Sequence, residues 1–268
     1  MRVSFLLGSG ISVDAGMASV ASISDQVFGG VGVVRHSDAT YYIAGEGSPN
    51  YEWYRRQAEP AIAFAGELRQ LADHYFADYL DGRLANYEDV ANLAKQIEDA
   101  LSGEYENPAL LPLLGELREQ TGDPQELMTR ATETRDYIRD IVWRMLNRLP
   151  TQLEHLAVIV DGCRKLQSTD LCELNHDRVL ELGLADAGLR VSDGFSGAYG
   201  DVEFWTDEFD QPLRHLKLHG SVTWFQRHLP EEPWRGLVVA RSLTHDPYHE
   251  RDAVGRLLSS RPMGARCC

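Results

Sequence analysis

Val3-Ser4-Phe5-Leu6-Leu7-Gly8-Ser9-Gly10-Ile11-Ser12 is the stretch on which the fold of this chain turns. A short apolar run that is partly β-branched and stops at glycine reads as a buried strand. Gly8-Ser9-Gly10 is then a sharp turn, and a helix is expected from about Ser12. Strand, glycine turn and helix start in that order aim backbone N–H groups at a pyrophosphate. Ser9 and Ser12 add hydroxyl donors. Taken alone the signal is weak, because a purely structural turn has about even odds.

Outward from this turn, Gly29 to Tyr51 is rich in Gly, Ser and Pro and reads as a long loop or irregular hairpin. From about Tyr54 to Leu166 the spacing becomes helical, as in Ala61 to Tyr79 and Val90 to Leu101. Asp123-Pro124-Gln125-Glu126 predicts a helix start, with Asp123 as cap and Glu126 completing a capping box. That helix runs to about Arg148 before Pro150, burying Ile138, Ile141, Val142 and Met145, and another spans roughly Gln152 to Leu166. Strand signals then return at Asp170 to Leu174, Val202 to Trp205 and Leu213 to Leu218, with a helix from about Asp177 to Ala187. The pattern predicts an α/β fold: a doubly wound, Rossmann-like, mostly parallel sheet with an inserted helical module. The expected domains are 1–53 and 167–268 as the two parts of the sheet domain, with 54–166 as the insertion.

The chain has 268 residues, is 43% hydrophobic and 25% charged, and can build a core without metal or disulfide. A net charge of −15 repels a phosphate backbone and argues against non-specific nucleic-acid binding. Cys163, Cys172, Cys267 and Cys268 lack the spacing of a zinc site or a disulfide framework. No signal peptide or membrane span is legible, so the expected location is the cytoplasm.

Two further segments follow predicted strands. Leu174-Asn175-His176-Asp177 places a polar trio at the carboxyl edge of the sheet, where open α/β folds bind ligands. The bland alternative is helix capping, which uses one of the three. Leu216-Lys217-Leu218-His219-Gly220-Ser221 puts a histidine at a strand end, suited to general-base work. A lone histidine is more often structural, so His219 needs support from its neighbours. Elsewhere, His245-Asp246-Pro247-Tyr248-His249 reads as a loop because Pro247 blocks a regular helix. The acidic stretch Asp201 to Asp210 reads as a half-buried hairpin with a solvated face.

LLGSGISVDAGM at 6–17, LNHDRVLE at 174–181 and LKLHGSVTW at 216–224 together resemble the sirtuin superfamily. More narrowly, they resemble the sirtuin-like domains of bacterial phage-defence proteins, as does Asn86-Tyr87-Glu88-Asp89 at a helix start in the insertion. The resemblance implies that Gly8, Ser9, Gly10 and Ser12 hold the NAD diphosphate while Asp14 and Gly16 shape the loop. It makes Asn175 the residue that orients the nicotinamide ribose or an attacking water, and Asp177 a contact to the nicotinamide carboxamide. His219 becomes the base, and Gly220 and Ser221 join the cofactor-binding set. NAD is then the substrate and no metal is required.

Protein-deacylating sirtuins carry a four-cysteine zinc module that this chain lacks, which favours NAD hydrolysis over transfer to an acyl-lysine. The competing expectations are a non-catalytic sensor of NAD or ADP-ribose and an NAD-dependent deacylase. Expected partners are NAD and, at the protein level, a second copy of the chain or a defence-partner protein; neither nucleic acid nor membrane is expected. Such domains continue past the His-Gly segment with another strand and a Gly-Tyr-Ser-like turn. Arg261 to Cys268 is small, basic and unpatterned, and reads as a truncated or frame-shifted end.

Overall fold

The computed structural model describes residues 2–78, 81–103, 107–199, 202–226 and 237–240. The segment around His245 and the terminal run Arg261 to Cys268 lie outside the described residues. The chain divides into two compact units, one formed by Met1–Ser19 with Met145–Arg266 and the other by Val20–Arg144. These bounds differ from the expected 53 and 166. Residues 20–53 join the helices because the Gly/Ser-rich stretch folds on them, and 145–166 join the sheet because their last helix packs there.

The first unit opens with β1 (Val3–Leu7), followed by α1 (Gly10–Val13), which is a single turn of four residues. In the second unit, α2 (Val20–Gly29) leads to an antiparallel hairpin of β2 (Val33–Arg35) and β3 (Tyr41–Ile43). The irregular-hairpin reading therefore describes residues 29–51 better than a long loop. α3 (Tyr51–Tyr75) packs on β2, and α4 (Tyr87–Ser102) packs on α2 and α3. α4 starts on a complete capping box, in which Asn86 accepts from Glu88 and Asp89 N–H and Asp89 accepts from Asn86 N–H. The Asn86 to Asp89 motif thus has a purely local explanation.

α5 (Leu111–Thr121) and α6 (Pro124–Leu146) complete the helices, with Asp123 Oδ1 accepting from Gln125 N–H at the start of α6. Glu126 pairs with Arg130. Of the expected inner face of α6, Ile138, Ile141 and Val142 are buried, whereas Met145 is half-buried. Tyr137 is also buried and donates to Val27 O at 2.6 Å.

The chain returns to the first unit through α7 (Ala157–Lys165), β4 (Thr169–Glu173) and α8 (Val179–Asp186). β5 (Phe195–Tyr199), β6 (Val202–Trp205), β7 (Leu213–Lys217), β8 (Trp224–Gln226) and β9 (Leu237–Ala240) follow. β1, β4 and β7 form a parallel sheet in that order. β5, β6, β9 and β8 form a separate antiparallel sheet, on which Phe195, Trp205 and Trp224, with Phe209 just after β6, meet in edge-on and tilted contacts at centroid distances of 5.1–6.3 Å. The result is a mixed α/β architecture with a three-stranded parallel sheet and small accessory sheets. The acidic stretch falls on and after β6, half-buried through Trp205 and exposed at Asp207 and Glu208.

Leu171 and Leu213 pack with Val160 and Cys163 of α7 and Leu180 and Leu184 of α8. β1 corrects one expectation. It is not fully buried, since Phe5 is 37% and Leu6 68% exposed. Among the described residues it pairs only with β4, so it is an edge strand. No helix among the described residues is long and apolar enough to cross a membrane.

Candidate functional site

The three parallel strands end in step. Leu7 lies beside Glu173, and Glu173 beside Lys217. The ladder continues one step further, with Leu174 N–H donating to Leu7 O and Leu218 N–H to Glu173 O, each at 2.9 Å. The turns that follow, starting at Gly8, Asn175 and His219, therefore leave from one edge of the sheet. Parallel strands direct their carboxyl ends to the same side, which is why three segments far apart in sequence meet there.

The first turn is built in two different ways. Gly16 has φ +80, and a Cβ there would stand 2.5 Å from Thr151 Oγ1, so the fold itself requires glycine. Gly8 and Gly10 have no atom within 4 Å of an added Cβ and no positive φ. No close contact and no positive φ requires glycine at either position. α1 is too short to supply much of a helix dipole, so phosphate attraction here would come from individual N–H groups and the Ser9 hydroxyl.

A second segment clamps the turn from below. Gln152 Nε2 donates to Asp14 O at 2.5 Å, Thr151 N–H and Oγ1 to Ala15 O at 2.8 and 3.0 Å, and Arg148 to Gly16 O at 3.2 Å. His155 Nε2 meets Ile11 O at 2.7 Å. These donors occupy carbonyls that a one-turn helix leaves open. Asp14 is exposed and Ser12 buried.

Asn175 joins the second turn to the first. Its Nδ2 donates to Gly8 O at 3.0 Å and to Ser12 Oγ at 2.9 Å, and the residue is buried. Asp177 is buried as well, with Oδ1 accepting from Val179 N–H at 2.9 Å. It supplies the helix-start bond that the capping alternative anticipates. His176 O accepts from Val222 N–H at 2.8 Å and from Ser221 Oγ at 3.4 Å, tying the second turn to the third.

His219 is exposed at the end of β7, with its ring 6.2 Å from that of His176. Gly220 has φ +84, a value that favours glycine. Ser221 is fully buried and shares a 3.1 Å hydroxyl contact with Thr223, so it supports the turn from beneath. The His176 imidazole is pushed down to about 4, first by burial and then by the charges of Lys217 and His219.

Sequence reasoning missed the polar layer under this edge. Lys217, the last residue of β7, contacts Glu173 Oε2 at 3.1 Å and Glu181 Oε1 at 3.2 Å, and His215 Nε2 meets Glu173 Oε2 at 2.7 Å. Glu173, Glu181 and His215 place potential ligand atoms within 4.8 Å of one another. The Lys217 ammonium already touches both carboxylates and takes the part a bound cation would play. Beyond Glu181 and His215 lies a cavity of about 350 Å³, also lined by Leu184, Val191 and Phe195. The missed signal was the alternation in β7: Leu213, His215 and Lys217 share a face, and that face is buried.

Against known proteins, no family model matches the chain and no curated protein matches it.

Proposed function

We propose that this protein hydrolyses NAD at the nicotinamide–ribose bond, giving nicotinamide and ADP-ribose. The observation that carries the reading is the Asn175 amide, which bridges Gly8 O and Ser12 Oγ at the shared strand edge. On this reading the parallel sheet is the core of a doubly wound, Rossmann-like domain of sirtuin type. Gly8, Ser9, Gly10 and Ser12 receive the diphosphate, and the unexplained glycines at 8 and 10 admit it closely. Asp14 and Gly16 set the course of the loop, while Asp177, Gly220 and Ser221 shape the nicotinamide end.

Cleavage sends the C1′–N electron pair to the pyridinium nitrogen, which leaves neutral. The resulting oxocarbenium-like centre demands positioning and a nearby acceptor rather than a strong nucleophile. With Nδ2 committed to the loop, Asn175 Oδ1 is the atom to hold a ribose hydroxyl or the attacking water. The water oxygen bonds to C1′, and its proton passes to His219 and on to solvent. The setting is cytoplasmic NAD depletion in anti-phage defence. Incubating the full chain with NAD and following nicotinamide tests the reading, and a rate no higher than buffer alone contradicts it.

One observation favours a second reading. Asp177 Oδ1 is committed to the Val179 N–H, an arrangement suited to holding a nucleotide without turning it over. A sensor of NAD or ADP-ribose predicts calorimetric binding with no nicotinamide released.

A further inference from the structure

Lys217 stands two residues before His219, yet its side chain runs beneath the Asn175–Asp177 turn instead of into solvent, with 2% of it exposed. An ammonium has three N–H donors and no acceptor. Here it meets Asn175 O at 3.0 Å, Asp177 O, and the carboxylates of Glu173 and Glu181. Residues 175–177 belong to no helix or strand, so these two carbonyls have no ladder to satisfy them. Burial alone pulls the Lys217 ammonium down. Glu181, Glu173 and Asp177 outweigh it and hold the group above the ordinary lysine range.

The carbonyls it grips flank His176 and belong to the two residues whose side chains do the local work, Asn175 toward the glycine loop and Asp177 toward α8. Arginine is no equivalent, since its planar fork spreads its donors over three nitrogens where the ammonium gathers its contacts at one.

We propose that Lys217 is the positioning residue of the site: its ammonium, anchored by Glu173 and Glu181, fixes the turn that aims the Asn175 amide at Gly8 and Ser12. The placement of Asn175 rests on the geometry alone, and its consequence for turnover rests on the NAD-hydrolase reading.

The test compares the full chain with Lys217→Met and with the charge-balanced Lys217→Met/Glu181→Gln, which removes one positive and one negative charge together. Three quantities are followed: hydrogen exchange of the Asn175 side-chain amide by NMR, the titration of His176, and nicotinamide release. In the variants the Asn175 amide protons exchange at least about tenfold faster, as expected for loss of a held hydrogen bond. The His176 ring faces Lys217, His219 and the Gly220 backbone carbonyl, so losing the first charge raises its midpoint by about half a unit or more. Release of nicotinamide falls about tenfold to a hundredfold in kcat with little change in KM.

Unchanged amide exchange and an unchanged His176 midpoint in the folded double variant overturn the proposal, whatever the activity. Altered exchange in a protein that never releases nicotinamide leaves the positioning role standing and removes the hydrolase reading instead.

Discussion

Two buried ionic clusters, one in each unit, are built for different ends. In the helical unit Arg139 bonds to Asp136 at 2.6 Å and to Asp140 at 2.9 and 3.2 Å, while Asp140 Oδ2 accepts from Tyr41 N–H at 3.1 Å. Every contact there ties α6 to itself or to the β2–β3 hairpin. In the sheet unit the cation grips backbone carbonyls of a turn, and Glu173 Oε1 and Glu181 Oε2 are left buried without a hydrogen-bond partner. The first cluster is a clamp; the second underlies a candidate site.

If this contrast holds, stability and function separate by position. The largest expected effect is at the clamp. Arg139→Met removes the guanidinium that buried Asp136 and Asp140 share and should cost about 3–5 kcal/mol in denaturant unfolding, with nicotinamide release per folded molecule unchanged. Lost activity in the folded fraction would break the contrast.

Acid titration comes next. His176 is held near 4 when folded and close to its ordinary value when unfolded. Its contribution is complete above about pH 6.5 and is lost as the pH falls through 4, on the order of 3 kcal/mol in all. His176→Gln should remove that part of the pH dependence, which stability curves from pH 7 to pH 4 would reveal.

The two kinds of glycine sharpen the same contrast. Gly16→Ala meets both the positive φ and Thr151, and should lower stability by about 2 kcal/mol. Gly8→Ala meets nothing in the fold and should change stability by less than about 0.5 kcal/mol. Its effect should appear in NAD affinity, weakened about tenfold or more by calorimetry. Undiminished affinity would leave Gly8 unexplained by any ligand.

The parts legible in the sequence were those set by local chemistry. Gly8 to Gly10 after an apolar run, Asn175 after β4 and His219 after β7 could each be placed at a strand end from turn residues and strand length. The cap at Asp123 and the helix start at Asn86 to Asp89 were legible for the same reason. Depth was not legible. Val3 to Leu7 looks like an interior strand, and only its neighbours make it an edge with Leu6 exposed. The alternation that puts His215 and Lys217 on the face of Leu213 is present in the sequence, but nothing in it shows Glu173 and Glu181 waiting opposite. The four-stranded antiparallel sheet also escaped: β5 and β6 form a local hairpin, but their joining to β8 runs through β9, a pairing that local pattern does not encode.

The central claim is that Asn175 and His219 act on NAD at the edge shared by β1, β4 and β7. Nicotinamide release by the full chain, compared with Asn175→Ala and His219→Ala at matched folded concentration, tests it most directly. The account predicts release by the unaltered protein and a fall of about a hundredfold or more in each variant. Equal rates in all three proteins would contradict it.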